Sequence, residues 1–345
     1  MKKEEKIKIK FYSFGLIVII LAIAGISVFF LITKSLSEKS IVQQAIQQLI
    51  AQKLEICEQT RKLDGLCFEG EEPLVYSVMI ENHSASRPVS GIGQAVLVYE
   101  VVVEAPITRF LAIFYADNNL KKIGPVRSAR PFFVDWATEF KAPYSHVGGS
   151  NEALDLLAKS YQYDLNEFSS GQYFWRKPSR PMPHNVYTSN ELIVLAVQNK
   201  NWQVKNNFDF WKFMPESKTA VEPVAILDIK VDFGTNEYSV EWKYDLENKK
   251  YVRYQAGNIY KDSDGNAVTA KNVVLMFTDA KIIDDYGRKK IKTIGSGQAV
   301  VYRANEMIEA EWRRSSLKER TRFFDALGKE IAFYPGNTWI EVVAD

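Results

Sequence analysis

"AVLVYEVVVEAPITRFLAIFYA", residues 95–116, decides the fold class. Two runs inside it, 95–103 and 109–116, are dense in Val, Ile, Phe and Tyr, and each has the length of a strand. Apolar side chains fill nearly every position rather than alternate ones. A strand of that kind needs cover on both faces, as in a layered α/β domain. "LVYSVMI" (74–80) reads the same way. Helical periodicity follows at 131–140, where Phe133, Trp136, Ala137 and Phe140 share a face, and again at 151–160 and 189–199. The pattern predicts a layered α/β first domain over 73–210. A connector at 211–221 leads to residues 222–345, which alternate more openly in "YSVEWKYD", "KYVRYQAG" and "TWIEVVAD". With turn signals at Asp264-Gly265 and Pro335-Gly336, that second domain reads as smaller and mostly β. The fold class is therefore α/β of the α+β kind.

Upstream lies a different solvent. Residues 1–10 are rich in lysine, and Phe11 through Ile32 carry no charge over 22 residues. As a helix this segment spans roughly 33 Å, the thickness of a bilayer core. It exceeds the apolar stretch of a cleavable signal, so it reads as a retained transmembrane helix. Lysines on its N-terminal side place that end in the cytoplasm and both domains outside, a single-pass topology at the cell membrane. Residues 33–72 form a stalk, with Val42, Ile46 and Leu49 at helical spacing. The stalk ends at Cys57 and Cys67, the only two cysteines. Outside the cytoplasm such a pair can close a small disulfide loop, the alternative being two free thiols. No metal-ligand spacing surrounds them.

Net charge is +2, but residues 1–33 contribute +3 of it, five Lys against two Glu, leaving the remainder at −1. No basic stripe marks a nucleic-acid partner. Gly91 and Gly93 lack the spacing of a nucleotide loop, so no cofactor is expected.

The polar motifs of the first domain concentrate in loops, and two of the three histidine loops feed directly into helix starts. His83 lies in "ENHSASRP", His146 in "SHVGGSNE" and His184 in "MPHNVYTS", and "GPVRSARP" brings Arg127, Ser128 and Arg130 to a helix whose first residue is Pro131. Ser150 is a candidate N-cap, and Thr188 with Glu191 spells a capping box. If the preceding strands are parallel neighbours, these loops converge on one rim. Asn82, His83, Arg87, Arg109, Arg127, Ser128, Arg130, His146, Ser150, His184 and Asn185 are then the candidate ligand-binding set, suited to an anionic or carboxylate-bearing ligand. The alternative is that each arginine pairs with an internal carboxylate, with Glu81, Glu100, Glu104 and Asp135 available. For catalysis the pair to consider is Glu104 with His146 or His184 as general base. No nucleophile signature and no zinc motif accompanies it.

Several of these stretches together, "MIENHSASRPVSGIGQAVLVYEVVVE", "ITRFLAIF", "IGPVRSARPFFVDWA", "HVGGSNEAL" and "PHNVYTS", resemble the YerB-like family of bacterial envelope proteins, a domain of unknown function. "GSGQAVVYRANEMIEAEWRR" and "IAFYPGNTWIEVV" resemble that family's C-terminal domain. The resemblance implies an extracytoplasmic protein with an α/β first domain and a β-rich second one. Members are commonly lipoproteins; "LAIAGIS" here has no cysteine to lipidate, so a transmembrane anchor stands in for the lipid. The family supplies no activity. The expectation is a membrane-anchored binding or adaptor protein holding a cell-wall polymer, a peptide or a wall-synthesis protein at the Arg/His rim. An envelope hydrolase or transferase and a structural scaffold are the alternatives.

Overall fold

A computed structural model describes residues 59–104, 106–161, 163–215, 228–285 and 287–344, with Lys34 and Gln43. The transmembrane segment expected at 11–32 and most of the stalk lie outside the described residues. Among the described residues no helix is long and apolar enough to cross a membrane. The chain divides into Met1–Glu58 and Gln59–Asp345, and the strands all belong to the second unit.

In chain order, the first half of that unit holds β1 (Val75–Glu81), β2 (Leu97–Glu104), β3 (Ile107–Tyr115), α1 (Pro131–Ala137), β4 (Tyr144–His146), α2 (Asn151–Ser160), β5 (Asp164–Asn166), α3 (Glu167–Ser170), β6 (Trp175–Arg176), β7 (Val186–Tyr187) and α4 (Asn190–Asn199). The second half contributes β8 (Asp228–Val231), β9 (Val240–Asp245), β10 (Lys250–Gln255), β11 (Asn258–Ile259), β12 (Thr269–Ala270), β13 (Asn272–Thr278), β14 (Ala280–Ile282), β15 (Lys289–Ile291), β16 (Gly295–Arg303), β17 (Glu306–Arg314), β18 (Arg322–Phe324) and β19 (Thr338–Ala344). Ten strands form one sheet in the order β18-β17-β16-β13-β19-β2-β3-β1-β4-β5. Strands β8 to β12 form a second, smaller sheet.

The apolar runs are buried on both faces, and their period of two divides them between two cores. On β2, Leu97, Tyr99, Val101 and Val103 join one core while Val98 and Val102 join the other. β3 alternates likewise, with Leu111, Ile113 and Tyr115 on one face and Phe110, Ala112 and Phe114 on the other. The first face is covered by α1, through Phe132, Phe133 and Trp136, and by α2, through Ala153 and Leu157. The second face is covered by Ile193 and Ala196 of α4 and by the small sheet, through Ile229, Val240, Trp242 and Tyr251.

The sheet order departs from a picture of two separate cores. β19, the last strand, enters between β13 and β2 and runs parallel to both, with Thr338–Val342 opposite Leu97–Val101. The C-terminal segment thus has a small sheet of its own and also extends the large one. Trp211, in the expected connector, is 1 % exposed, donates its indole N–H to the Thr321 carbonyl at 2.8 Å, and packs on Phe333. The condition set for the loops to converge, parallel neighbours, is met by β1, β4 and β5, whereas β2, β3 and β1 pair antiparallel.

Local capping follows the sequence with one shift. Pro131 opens α1, and the Ser150 hydroxyl accepts from the Ala153 N–H at 3.3 Å to cap α2. The cap of α4 is Ser189, one residue after the expected Thr188, whose hydroxyl instead donates to the Tyr173 carbonyl.

Cys67 is disulfide-bonded, and Cys57, the chain's other cysteine, lies outside the described residues. The segment after it is tied down at the N-terminal end of β1. Arg61 pairs with Asp117 at 3.0 Å, the Leu63 N–H donates to the Tyr115 hydroxyl, and the Gly336 N–H to the Asp64 carbonyl. Burial raises the Asp64 carboxyl from 3.8 to about 6, with Asp117 and Glu72 adding to it and the Leu66 N–H and Arg61 opposing. An acid whose folded pKa lies above its unfolded one costs stability as pH rises between the two values, here from about 4 to about 6. Asp64→Asn is therefore expected to stabilise the protein at pH 8 by about 1–3 kcal/mol. Urea unfolding across pH checks this: the gain shrinks to nothing near pH 4, and a variant less stable than wild type at pH 8 would contradict it.

Candidate functional site

Residues 123–130 run as a strap through the middle of the motif loops. The Arg127 N–H donates to the Met79 carbonyl at 2.9 Å, and the Glu81 N–H to the Pro125 carbonyl at 3.0 Å, fixing the strap to the end of β1. The Ser90 N–H reaches the Gly124 carbonyl, and the Val126 N–H reaches Val186 at 2.7 Å. On the other side, the Val147 N–H donates to the Arg127 carbonyl and the Ala129 N–H to Gly148, both at 3.0 Å. Loops 82–90, 123–130, 146–150 and 183–188 therefore share one rim, at the C-terminal ends of β1 and β4. Gly124 allows this crowding: its φ is 136°, and a Cβ there would sit 2.8 Å from the Val126 nitrogen and 2.9 Å from the Val186 oxygen.

Charge gathers on the strap. Arg127 Nε lies 3.0 Å from Glu81 Oε1, and Glu81 Oε2 lies 2.9 Å from His184 Nδ1. Glu81 itself is 3 % exposed, so one buried carboxylate serves both a guanidinium and an imidazole. The His184 ring stacks on His83 at 4.8 Å. His83 Nδ1 accepts from the Ala85 N–H, which leaves the Nε2 of both histidines without a hydrogen bond among the described residues. Arg130 pairs with Glu104. Burial works against ionisation of Glu104, but Arg130, with Arg109 and Arg127 behind it, holds the carboxyl below its ordinary value. Arg109 has no ion pair among the described residues and donates to the Ser128 carbonyl at 2.7 Å. Burial first, then the charges of Arg130 and Arg127, press its guanidinium down to about 9 against the pull of Glu104 and Glu81, so it remains charged at neutral pH.

Other expected ligand residues serve the fold. His146 is fully buried, with Nδ1 2.7 Å from the Gly148 carbonyl and Nε2 2.6 Å from Asp164 Oδ1. Both nitrogens are engaged, so it cannot act as the general base expected with Glu104. Glu104 in turn is held by Arg130 and His184 by Glu81, so neither expected His–Glu104 pair forms. Ser150 is a helix cap, and Asn185 accepts from Arg176 at 3.2 Å. Arg87 bonds the Asn82 carbonyl and stacks on Tyr238 at 4.9 Å.

Asn82 belongs to a buried polar network that the sequence does not reveal. Its amide donates to Thr108, Glu100 and Gln255, and its oxygen accepts from the Tyr260 hydroxyl. Arg253 reaches Glu100 at 2.8 Å, with both side chains fully buried. The network joins the motif loop to the small sheet and so holds the rim's base. Glu81, the residue that organises the rim, was expected only as one possible arginine partner; its place at the C-terminal end of a strand, directly before Asn82-His83, is the signal for its role.

Two grooves open at the opposite end of the sheet, one of about 360 Å³ beside Tyr161, Tyr163 and Gln203, the other of about 680 Å³ beside Glu72, Pro73 and Asn206. Neither touches the rim.

The likeness to known proteins agrees with this architecture. Residues 68–203 match the model of the DUF3048 N-terminal domain and residues 229–340 that of the DUF3048 C-terminal domain, both described as protein of unknown function. The chain is 33 % identical over 281 residues to a Bacillus subtilis (strain 168) protein named "Putative lipoprotein YerB", covering 78 % of this chain and 81 % of that one. A crystal structure of YerB protein from Bacillus subtilis superposes with a TM-score of 0.75 at 32 % identity, covering 84 % of this chain and 97 % of that one. Both halves of the described body, and the sheet that joins them, thus have counterparts, and the chain belongs to the YerB-like family of two-domain proteins.

Proposed function

We propose that the protein is a membrane-tethered binding protein of the cell envelope, which holds an anionic or peptide ligand, or a wall-synthesis partner, at the Arg/His rim. The observation that carries this reading is a charge excess in one cluster. Arg109, Arg127 and Arg130 share two carboxylates, Glu81 and Glu104, so one positive charge has no fixed counter-ion. A ligand carboxylate would supply it through charge-assisted hydrogen bonds. Beside it, the stacked His83 and His184 rings present two unbonded Nε2 atoms on a flat face, suited to a peptide group or a sugar hydroxyl. Support for the tether comes from the uncharged 22-residue segment and from the relative's description as a lipoprotein.

The rim lies on loops carried by the ends of β1 and β4 of the large sheet, the usual setting for recognition. Full-length protein extracted in mild nonionic detergent is expected to retain envelope material that Arg127→Ala loses by tenfold or more, measured at a temperature where both proteins remain folded. Mass spectrometry of the co-purified fraction reads the difference. Equal recovery with wild type, Arg127→Ala and Arg130→Ala would end the rim reading.

A hydrolase or transferase is the second reading, favoured by one feature. Glu81 holds His184 Nδ1 and leaves Nε2 open, the orientation of a carboxylate-backed general base. Among the described residues no hydroxyl or thiol is hydrogen-bonded to that nitrogen, which places binding ahead of catalysis.

A further inference from the structure

We propose that Lys122, whose ammonium lies over the Tyr187 ring, forms with Lys177 and Arg180 of the β6–β7 loop a binding site for a phosphate group, beside the Glu81–His184 pair and on the same rim loops. The site is built by the β6–β7 hairpin. Trp175 stands opposite Tyr187 in its ladder, and the rings stack with centroids 6.1 Å apart. The loop between the strands closes on itself, the Lys177 N–H donating to the Asn185 carbonyl at 2.8 Å and the Arg180 N–H to the Lys177 carbonyl. Lys122 arrives from the neighbouring segment, where Ile123 and Thr188 bond reciprocally, and its Nζ lies 4.6 Å from the Tyr187 ring centroid.

Among the described residues no carboxylate lies in contact with these three cations, and none of them makes an ion pair. The Arg180 guanidinium spans the carbonyls of Ser86 and Pro88, which fix its position without cancelling its charge. Asp264, exposed on a turn of the small sheet, is the carboxylate whose field reaches Lys122. The half-buried Lys122 ammonium is accordingly pressed below its ordinary value, first by burial and then by Lys177 and Arg180. The Tyr187 hydroxyl is buried and has no hydrogen-bond partner among the described residues. Like charges drawn together beside an unused donor lower stability unless something anionic joins them. Two ammonium groups, a guanidinium and a hydroxyl offer more donors than the two oxygens of a carboxylate can accept. A phosphate, with three or four oxygens, can serve them all, and ammonium groups suit it as point charges.

The test uses the full chain in nonionic detergent and isothermal titration. The probes are inorganic tripolyphosphate, which has free terminal groups, and poly(glycerol phosphate), which has internal diesters; citrate is the carboxylate control. Saturable binding of either phosphate probe is expected, whichever binds more tightly identifying the kind of group. Affinity should fall about tenfold in Lys122→Gln and in Lys177→Gln, about threefold in Tyr187→Phe, and should weaken with salt. Arg127→Ala should leave it unchanged. No saturable binding, equal binding by the lysine variants, citrate binding as tightly, or loss with Arg127→Ala alone would each overturn the proposal. Unfolding temperatures of the glutamine variants should equal or exceed wild type, since they remove repulsion without breaking an ion pair.

Discussion

Arg253→Met is expected to destabilise the protein by about 3–5 kcal/mol, the cost of leaving a buried carboxylate without its partner. Arg253 is fully buried, with its guanidinium 4.3 Å from the Tyr260 ring and 5.3 Å from Trp339, and 2.8 Å from Glu100. Burial opposes its charge, but the Glu100 carboxylate, the largest influence on the other side, raises its pKa. Glu341 stands opposite Glu100 in the β19–β2 pairing, and two buried carboxylates side by side cannot both ionise. Burial, then the Glu100 charge, holds the Glu341 carboxyl well above its ordinary value. Glu341 Oε1 accepts from the Trp242 indole at 2.8 Å, while Oε2 receives no donor, as expected of an oxygen that carries its own proton. Glu341→Gln should therefore cost only about 1 kcal/mol, because the amide can accept from Trp242 and donate to Glu100 as the protonated acid does. Thermal unfolding separates the two: a drop on the order of 10 °C for Arg253→Met and a few degrees at most for Glu341→Gln. Similar drops for both would mean that Glu341 is ionised and the account of the network is wrong.

Glu139→Ala is expected to cost as much, about 3–5 kcal/mol, at a second junction between the two halves. Glu139 is 1 % exposed and lies 3.5 Å from Arg314 and 3.6 Å from Arg320, both buried. It also accepts from the Thr321 hydroxyl at 2.7 Å and from the Thr321 N–H at 3.2 Å. Arg320 rests on Trp211 at 4.2 Å and Phe140 at 5.0 Å, and its Nε and one terminal nitrogen have no other acceptor. Removal of the carboxylate leaves two buried cations without a counter-ion, Arg320 among aromatic rings and Arg314 held by neutral oxygens alone. Urea unfolding should show the midpoint falling sharply, with partial recovery in Glu139→Ala combined with Arg320→Met, which removes one stranded charge. A loss below about 1 kcal/mol would show that water reaches the arginines.

How much of this was legible depends on the range of the interaction. The double-sided apolar runs of β1 to β3 announced cover on both faces, and Pro131 and Ser150 placed two helix starts within the local sequence. The pairing of β19 with β2 joins segments 241 residues apart (338 against 97), and "TWIEVVA" carries no mark of its neighbour. For that reason the shared sheet, and with it the Glu100–Glu341 contact, could not be read. The meeting of the motif loops was legible in part, because the loops of His146, His184 and Arg127 each lead into a helix start, whereas the His83 loop leads into β2. Their internal wiring was not. His146 looked like a loop residue because nothing local foretells Asp164 on the neighbouring strand, and Arg127 and Arg130 found Glu81 and Glu104 among several available carboxylates.

Whether the rim recognises something in the envelope can be asked at the loop of Met182, 72 % exposed and two residues before His184. A photo-crosslinking amino acid placed at Met182 in living cells is expected to yield a discrete adduct. That adduct should vanish when Arg127→Ala is added. It should also be missing when the same group is placed at Leu327, 93 % exposed beyond the far edge strand β18. Adducts of equal yield from both positions, or one from Met182 that survives Arg127→Ala, would contradict a binding site at the rim.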